Sequence, residues 1–375
     1  MKKTVLFIFG TRPEAIKLAP VIKRFKESGL FKVKTCATAQ HRQMLDGVLD
    51  FFSIIPDYDL NLMQRDQGLF DITARLLTKI KHVLEVVKPD LVFVQGDTTT
   101  AFTASLASFY KNIRVAHIEA GLRSFNKNSP FPEEINRILI SHLAQFHFCP
   151  TKDSKENLFK EGVKNNVFVV GNTVIDALFL GLNIIKRSGE ERFKRKFSFL
   201  SPSKKLILLT CHRRESFGAP MERVFRAVSE LSAANKGIEV IYPIHLNPNV
   251  KKTAHRMLKG IKNIHLVEHL DYSDLLWIMS RCHLILTDSG GIQEEAPSLK
   301  KPILVLRDVT ERTEGVKSGT AVLVGTDKEK IIHIASVLLS GKSEYKRMAA
   351  AKNPYGDGKS SARIMNIMAK ELKTM

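Results

Sequence analysis

Short apolar runs alternate with amphipathic stretches along almost the whole chain, and this alternation restricts the fold more than any other feature. The runs are TVLFIFG (4–10), KVKTCAT (32–38), DLVFVQG (90–96), RVAHIEA (114–120), FHFCPT (146–151), VFVVGN (167–172), KLILLTCH (205–212), IEVIYPIH (238–245), IHLVEHL (264–270), HLILTDS (283–289), PILVLRD (302–308) and AVLVGTD (321–327). Continuous apolar runs bounded by turn residues are what strands buried on both faces look like. Segments such as FTASLASFYK and MERVFRAVSEL between them carry the helical period. Repeated βαβ units then predict an α/β fold with parallel sheets.

The 375 residues are too many for one ordinary domain and suit two. The runs fall into two groups, so two Rossmann-like domains are expected. The boundary is placed near Gly171-Asn172-Thr173: 1–172 forms the first domain and 173–357 the second. The terminal segment 358–375, with the helical SSARIMNIMAKEL, crosses back to the first. The charged stretch 186–204 is either a surface loop or a short helix of the second domain. Two such sheets facing each other leave a cleft at the carboxyl ends of their strands, where open α/β folds bind ligands.

Composition narrows the partner. A formal charge of +20 suits an anionic ligand, although a Lys-rich surface gives the same balance. The basic residues are spread along the chain without the aromatic interleaving of a nucleic-acid module, so no nucleic acid is expected. No apolar run approaches a membrane span, and the one after Met-Lys-Lys is too short for a signal peptide. Cys36, Cys149, Cys211 and Cys282 lack metal-ligand spacing and read as reduced, mostly buried thiols. The expectation is a soluble cytoplasmic protein without metal or other cofactor.

Five segments carry chemistry, each directly after a run or at a helix start. LTDSGGIQEEAPSL puts Ser289, Gly290 and Gly291 between a strand and a helix, as in a phosphate-binding turn, although an ordinary Gly-rich βα turn looks the same. Glu294 and Glu295 lie about 100° apart on that helix. One should face a ligand, in position to accept ribose hydroxyls, and the other solvent or a supporting partner. FGTRPEAIK (9–17) places Pro13 in a first helical turn with Arg12 and Lys17 at its ligand end, where cations serve a diphosphate better than the helix dipole. QGDTTT (95–100), HIEAGLR (117–123) and PFPEEINR (130–137) place Asp97, Glu119, Glu133 and Glu134 at one sheet edge. Single acids there are usually caps, but several together equip a site for proton transfer. CHRRESFG (211–218) clusters His212 with Arg213 and Arg214, and RDVTERTEG (307–315) adds Arg307 and Arg312.

As a set, in order from about residue 4 to 358, these motifs together with YPIHLNPNV resemble the bacterial non-hydrolysing UDP-N-acetylglucosamine 2-epimerases. The resemblance implies two Rossmann-like domains of the GT-B type, a homodimer, and interconversion of UDP-N-acetylglucosamine and UDP-N-acetylmannosamine for cell-surface polysaccharide. It implies that Arg12, Lys17 and His212 attend the diphosphate and that Ser289, Gly290 and Gly291 hold phosphate. Glu295 would hold the ribose and Arg312 the nucleotide side. Asp97, Glu119 and Glu133 would surround the sugar as acid–base groups, and backbone near Leu270 and Leu275 would hold uracil. Gln40, Gln43, Arg213 and His245 match the pattern of a second, regulatory site, while Arg65 stands one place away from the family arginine.

The implied chemistry suits the residues. The sugar C2 proton is not beside a carbonyl, so it leaves only as UDP departs from C1, giving 2-acetamidoglucal. That route needs an acid, a base and stabilisation of the leaving diphosphate. The rivals are a hydrolysing 2-epimerase, a GT-B glycosyltransferase and a non-catalytic nucleotide-sugar sensor.

Overall fold

A computed structural model describes residues 2–38, 42–62 and 67–373. It divides the chain into two compact units, Met1–Leu180 with Tyr355–Met375, and Gly181–Pro354. Both are built on parallel sheets, as the continuous apolar runs require.

Unit 1 contains β1 (Thr4–Phe9), β2 (Lys32–Ala37), β3 (Tyr58–Asp59), β4 (Leu91–Gln95), β5 (Arg114–Ile118), β6 (Phe146–Cys149) and β7 (Val167–Val169). Their order in the sheet is β3-β2-β1-β4-β5-β6-β7. Chain order reverses between β1 and β4, which pair in parallel from Val5 against Leu91. Val5 to Phe9 and Leu91 to Val94 are completely buried. Burying each such large apolar side chain contributes about 1.5–3 kcal/mol. Phe7 of β1 stacks on Phe93 of β4 at 4.5 Å, and Phe25 of the helix Arg12–Ser28 meets both edge-on at 5.6 and 5.2 Å. The aromatic cluster therefore fixes that helix over the strand reversal.

Unit 2 repeats the plan with β8 (Lys205–Thr210), β9 (Ile238–Pro243), β10 (Ile264–Val267), β11 (Leu284–Thr287), β12 (Ile303–Val305) and β13 (Ala321–Leu323). The order is β10-β9-β8-β11-β12-β13, with the reversal between β8 and β11. The stretch 186–204 contains a short helix, Glu191–Lys196, rather than only a loop. Its Phe193 is fully buried and stacks on Trp277 at 5.7 Å, which anchors this otherwise charged segment.

The returning C-terminal segment belongs to unit 1. Its helix Ser360–Glu371 packs on Arg12–Ser28. Buried Asp176 accepts from the amides of Ser360 (3.1 Å) and Ser361 (2.8 Å) and from the Ser361 hydroxyl (2.5 Å), while the Asn172 amide donates to Tyr355 O at 2.7 Å. These bonds hold the first turns of the helix Thr173–Ser188 in unit 1, so the divisions fall at 180/181 and 354/355 rather than at the expected 172/173 and 357/358. Cys36, Cys149, Cys211 and Cys282 are free and buried. Among the described residues no helix is long and apolar enough to cross a membrane.

Candidate active site

In unit 1 the site residues sit where β1, β4 and β5 end. Thr11 caps the helix Arg12–Ser28, and Pro13 lies in its first turn, so Arg12 stands at its start. Lys17, one turn further, places Nζ 2.5 Å from Glu119 Oε1. Glu119 follows β5 in a left-handed backbone conformation, φ +68°, which costs an L-residue energy and clusters at functional sites. Its other carboxylate oxygen accepts from the Gln95 side-chain amide. The buried Glu119 charge is thus neutralised by one cation and oriented by one amide.

Asp97 follows β4 and pairs with Arg137. Asn136 Nδ2 donates to the Asp97 carbonyl at 2.9 Å. Arg137 also reaches Glu134 at 3.2 Å, and Glu134 accepts from the Ser124 and Phe125 amides at 2.9 and 3.0 Å. Glu134 therefore braces the loop before its helix. Its neighbour Glu133 opens the helix Glu133–Leu143, with Oε2 buried and lacking a hydrogen-bond partner among the described residues. An unpaired buried carboxylate oxygen is costly and suits a group kept for a reacting atom. His117, fully buried with Nε2 2.7 Å from Gly96 O, is pushed down to about 3 by burial and stays neutral.

Unit 2 presents the turns after β8, β11 and β12. Asp288 is fully buried and accepts from the amides of His212 (2.5 Å) and Arg213 (2.7 Å), while His212 Nδ1 stands 3.1 Å from its other oxygen. Burial works to raise the Asp288 carboxyl, but His212 and the two amides outweigh it and hold the group below the usual range. His245 stacks on His212 at 5.2 Å, and it is lowered by burial and by that neighbouring ring. Arg213 Nε donates to Asp288 O at 3.2 Å.

Ser289 precedes the short helix Gly290–Glu295. Both glutamates of that helix are buried, so neither faces solvent. Glu294 pairs with Arg312 Nε at 2.6 Å, and Glu295 accepts from the Tyr272 hydroxyl at 2.9 Å. Glu294 thus supports Arg312, the candidate ligand-side cation. Arg307 and Arg312 flank Glu311, whose carboxyl burial would raise but whose own amide and the two arginines hold near about 2. Leu270 is buried, and Leu275 lies in the first turn of the helix Tyr272–Arg281, with its amide already donating to Asp271 O at 3.1 Å. Gln40 and Arg65 lie outside the described residues, as does the side chain of Gln43.

Four residues of this framework were not singled out by motif: Glu14, Gln95, Arg137 and Asp288. A signal existed for Glu14, because Thr11-x-x-Glu14 is a capping box. Among the described residues no group of three or more His, Cys, Asp or Glu is placed to hold a metal.

The family model for UDP-N-acetylglucosamine 2-epimerase matches residues 23–369. The UDP-N-acetylglucosamine 2-epimerase of Escherichia coli K12 is 50% identical over 367 residues, covering 97% of this chain and 98% of its own. The crystal structure of UDP-GlcNAc 2-epimerase from Neisseria meningitidis bound to UDP-GlcNAc is 48% identical, with a TM-score of 0.91 over 98% of this chain and all of that one. A glycosyltransferase from Rickettsia africae, 15% identical, aligns with a TM-score of 0.64 over both whole chains, which concerns the fold alone. Two Rossmann-like units of the GT-B type, matched end to end at such identity, leave one assignment: the chain belongs to the UDP-N-acetylglucosamine 2-epimerase family, whose enzymes are isomerases.

Proposed function

We propose that the chain interconverts UDP-N-acetylglucosamine and UDP-N-acetylmannosamine without net hydrolysis. The observation that carries the mechanism is the carboxylate set of unit 1: Glu119 held by Lys17 and Gln95, Asp97 held by Arg137, and Glu133 with an unpaired buried oxygen. Asp97, Glu119 and Glu133 divide the proton work. One removes the C2 proton as the C1–oxygen bond to UDP breaks, leaving UDP and 2-acetamidoglucal. A proton then returns to the opposite face of C2, and the diphosphate oxygen adds back to C1. Positioned acids and bases contribute about 10²–10⁴-fold each.

Arg12, Lys17 and His212 serve the departing diphosphate, with phosphate held at Ser289, Gly290 and Gly291. The pairing of Lys17 with Glu119 adds a second duty for that cation, neutralising a buried base. Glu295 takes the ribose, Arg312 the nucleotide side, and backbone near Leu270 and Leu275 the uracil. Gln40, Gln43, Arg213 and His245 form a regulatory site for a second substrate molecule, and the chain works as a cytoplasmic homodimer supplying cell-surface polysaccharide. Support for the substrate comes from the Neisseria structure described as bound to UDP-GlcNAc.

The test is incubation with UDP-N-acetylglucosamine alone, followed by NMR. UDP-N-acetylmannosamine should form to an equilibrium mixture. Free N-acetylmannosamine with stoichiometric UDP would mean a hydrolysing enzyme, and transfer seen only with an added acceptor would mean a glycosyltransferase.

A further inference from the structure

Glu14 is 1% exposed and has no part in the chemistry above. Its Oε2 accepts from the Gly10 amide (3.1 Å), the Thr11 amide (2.8 Å) and the Thr11 hydroxyl (2.7 Å), and its Oε1 accepts from the Thr98 hydroxyl (2.9 Å). A capping box accounts for the bond from the Thr11 amide. It does not account for Thr98, which lies 84 residues away in the turn after β4.

The two turns joined in this way carry proposed working groups. Gly10 and Thr11 immediately precede Arg12, and Thr98 immediately follows Asp97. The Asp97 turn is held on its other side by Asn136 and Arg137. We propose that Glu14 is a positioning residue for the epimerisation: through Thr98 it sets the place of the Asp97 turn against the Arg12 turn. In its ionised form the carboxylate only accepts, and four donors converge on it. The inference rests on the function proposed above, since it assumes that Asp97 and Arg12 act in that reaction.

Thr98→Val and Thr98→Ser test this link, and Glu14→Gln, which leaves the bond from the Ala101 amide to the Thr98 hydroxyl in place, separates it from capping of the following helix. Thr98→Val removes the link to the second turn and leaves the Glu14 bonds to Gly10 and Thr11 intact. It also removes the cap of the helix Thr99–Tyr110, where the Thr98 hydroxyl accepts from the Ala101 amide. Thr98→Ser keeps both. Displacing a reacting group by about 1 Å can cost roughly 10²-fold in rate. The folded Thr98→Val protein should therefore lose about 10–100-fold in kcat while KM stays within about threefold, and Thr98→Ser should restore kcat to within about threefold. Glu14→Gln should remain folded and lose kcat rather than KM. Near-normal kcat in folded Thr98→Val, or a loss confined to KM, would overturn the positioning role. Wild-type protein that does not epimerise would overturn the function instead, and leaves the two failures distinct.

Discussion

At the strand reversal of unit 1, Glu14 accepts four hydrogen bonds from neutral donors. At that of unit 2, Asp288 takes two backbone amides and stands beside the His212 ring. Both carboxylates are fully sheltered and both tie the turn after the first strand to the turn after its neighbour across the reversal. Their electrical states differ. Burial raises Glu14 from 4.5 to about 7, and the donors only partly oppose it. Burial also works against the charge on Asp288, but an imidazole and two amides reverse the balance and keep it below the usual range. What separates them is the partner: hydroxyls and amides alone do not offset desolvation, whereas adding a group able to carry positive charge does.

The comparison extends to the division of labour proposed for the units, and breaking that division has the largest expected effect. Glu119→Gln and Glu133→Gln keep shape and remove an acid or base. Each should lower kcat about 10²–10⁴-fold with UDP still bound in calorimetry. Turnover in D2O should place deuterium at C2 of the product, and either variant stalled between the steps should release UDP and 2-acetamidoglucal. Product without C2 deuterium would count against loss of the C2 proton, and near-normal rates in both variants would remove Glu119 and Glu133 from the proton chemistry.

Next in size is Asp288→Asn. Its amide turns a donor toward the groups that an acceptor served, leaving the turn amides or His212 poorly paired. A loss on the order of 1–3 kcal/mol in urea unfolding is expected, together with weaker UDP binding as His212 loses its support. Unchanged stability and UDP affinity together would show that the unit 2 carboxylate ties nothing.

Glu14→Gln sharpens the same contrast with an opposite sign. A carboxyl raised on folding favours the native state most below its unfolded value near 4.5 and loses that advantage as pH climbs to about 7. By pH 8 charging costs the wild type on the order of 3 kcal/mol, an upper figure because the surroundings relax. The variant avoids that cost, so its stability relative to wild type should rise between pH 4.5 and 7 and then level off. The groups bonded to Glu14 are Gly10, Thr11 and Thr98, none of them charged; Arg12 and Lys17 lie on its own helix, Asp97 precedes Thr98, and Glu119 is paired with Lys17. A relative stability independent of pH would contradict the burial argument. A stabilised but slow enzyme at pH 8 would support the positioning role.

Much of this arrangement is legible in the chain. Every apolar run contains a strand, because burial on both faces leaves an unbroken pattern. The expected ends run too far, and for one reason. RVAHIEA continues past Ile118 into Glu119, and HLILTDS past Thr287 into Asp288 and Ser289. The extra residues are candidate site residues, and the amides of Glu119 and Asp288 still donate to the neighbouring strand, so the extended run does not stop sharply where the strand does. Strand β3 has two residues, Tyr58–Asp59, and no period of its own to betray it. The acids of the site were visible as residue types at strand ends, but their partners were not. Lys17 meets Glu119, Arg137 meets Asp97 and Thr98 meets Glu14 across 102, 40 and 84 residues of sequence. Only the strand order brings such distant turns side by side.

The smallest effect on the fold is expected at Gly291 of unit 2, in contrast to Gly121 of unit 1. Gly121 of unit 1 has φ +84°, and a Cβ there would fall 2.1 Å from the Ser154 carbonyl oxygen, so the backbone itself demands glycine. Gly291 of unit 2 has no such need. The nearest atom to a Cβ built on it is Ser289 Oγ at 4.0 Å. It is the second residue of the helix Gly290–Glu295, where alanine is favoured over glycine by up to about 1 kcal/mol, the value for a helix interior. Gly291→Ala should therefore match or slightly exceed wild-type stability, by at most about 1 kcal/mol. If the phosphate approaches the Gly291 backbone, the same methyl group, and more so the side chain of Gly291→Val, should weaken UDP binding in calorimetry. Gly121→Ala should instead lower the unfolding temperature. Intact stability with lost affinity would mean that the ligand, not the protein, requires Gly291. Unchanged UDP affinity in Gly291→Val would show that the phosphate lies elsewhere.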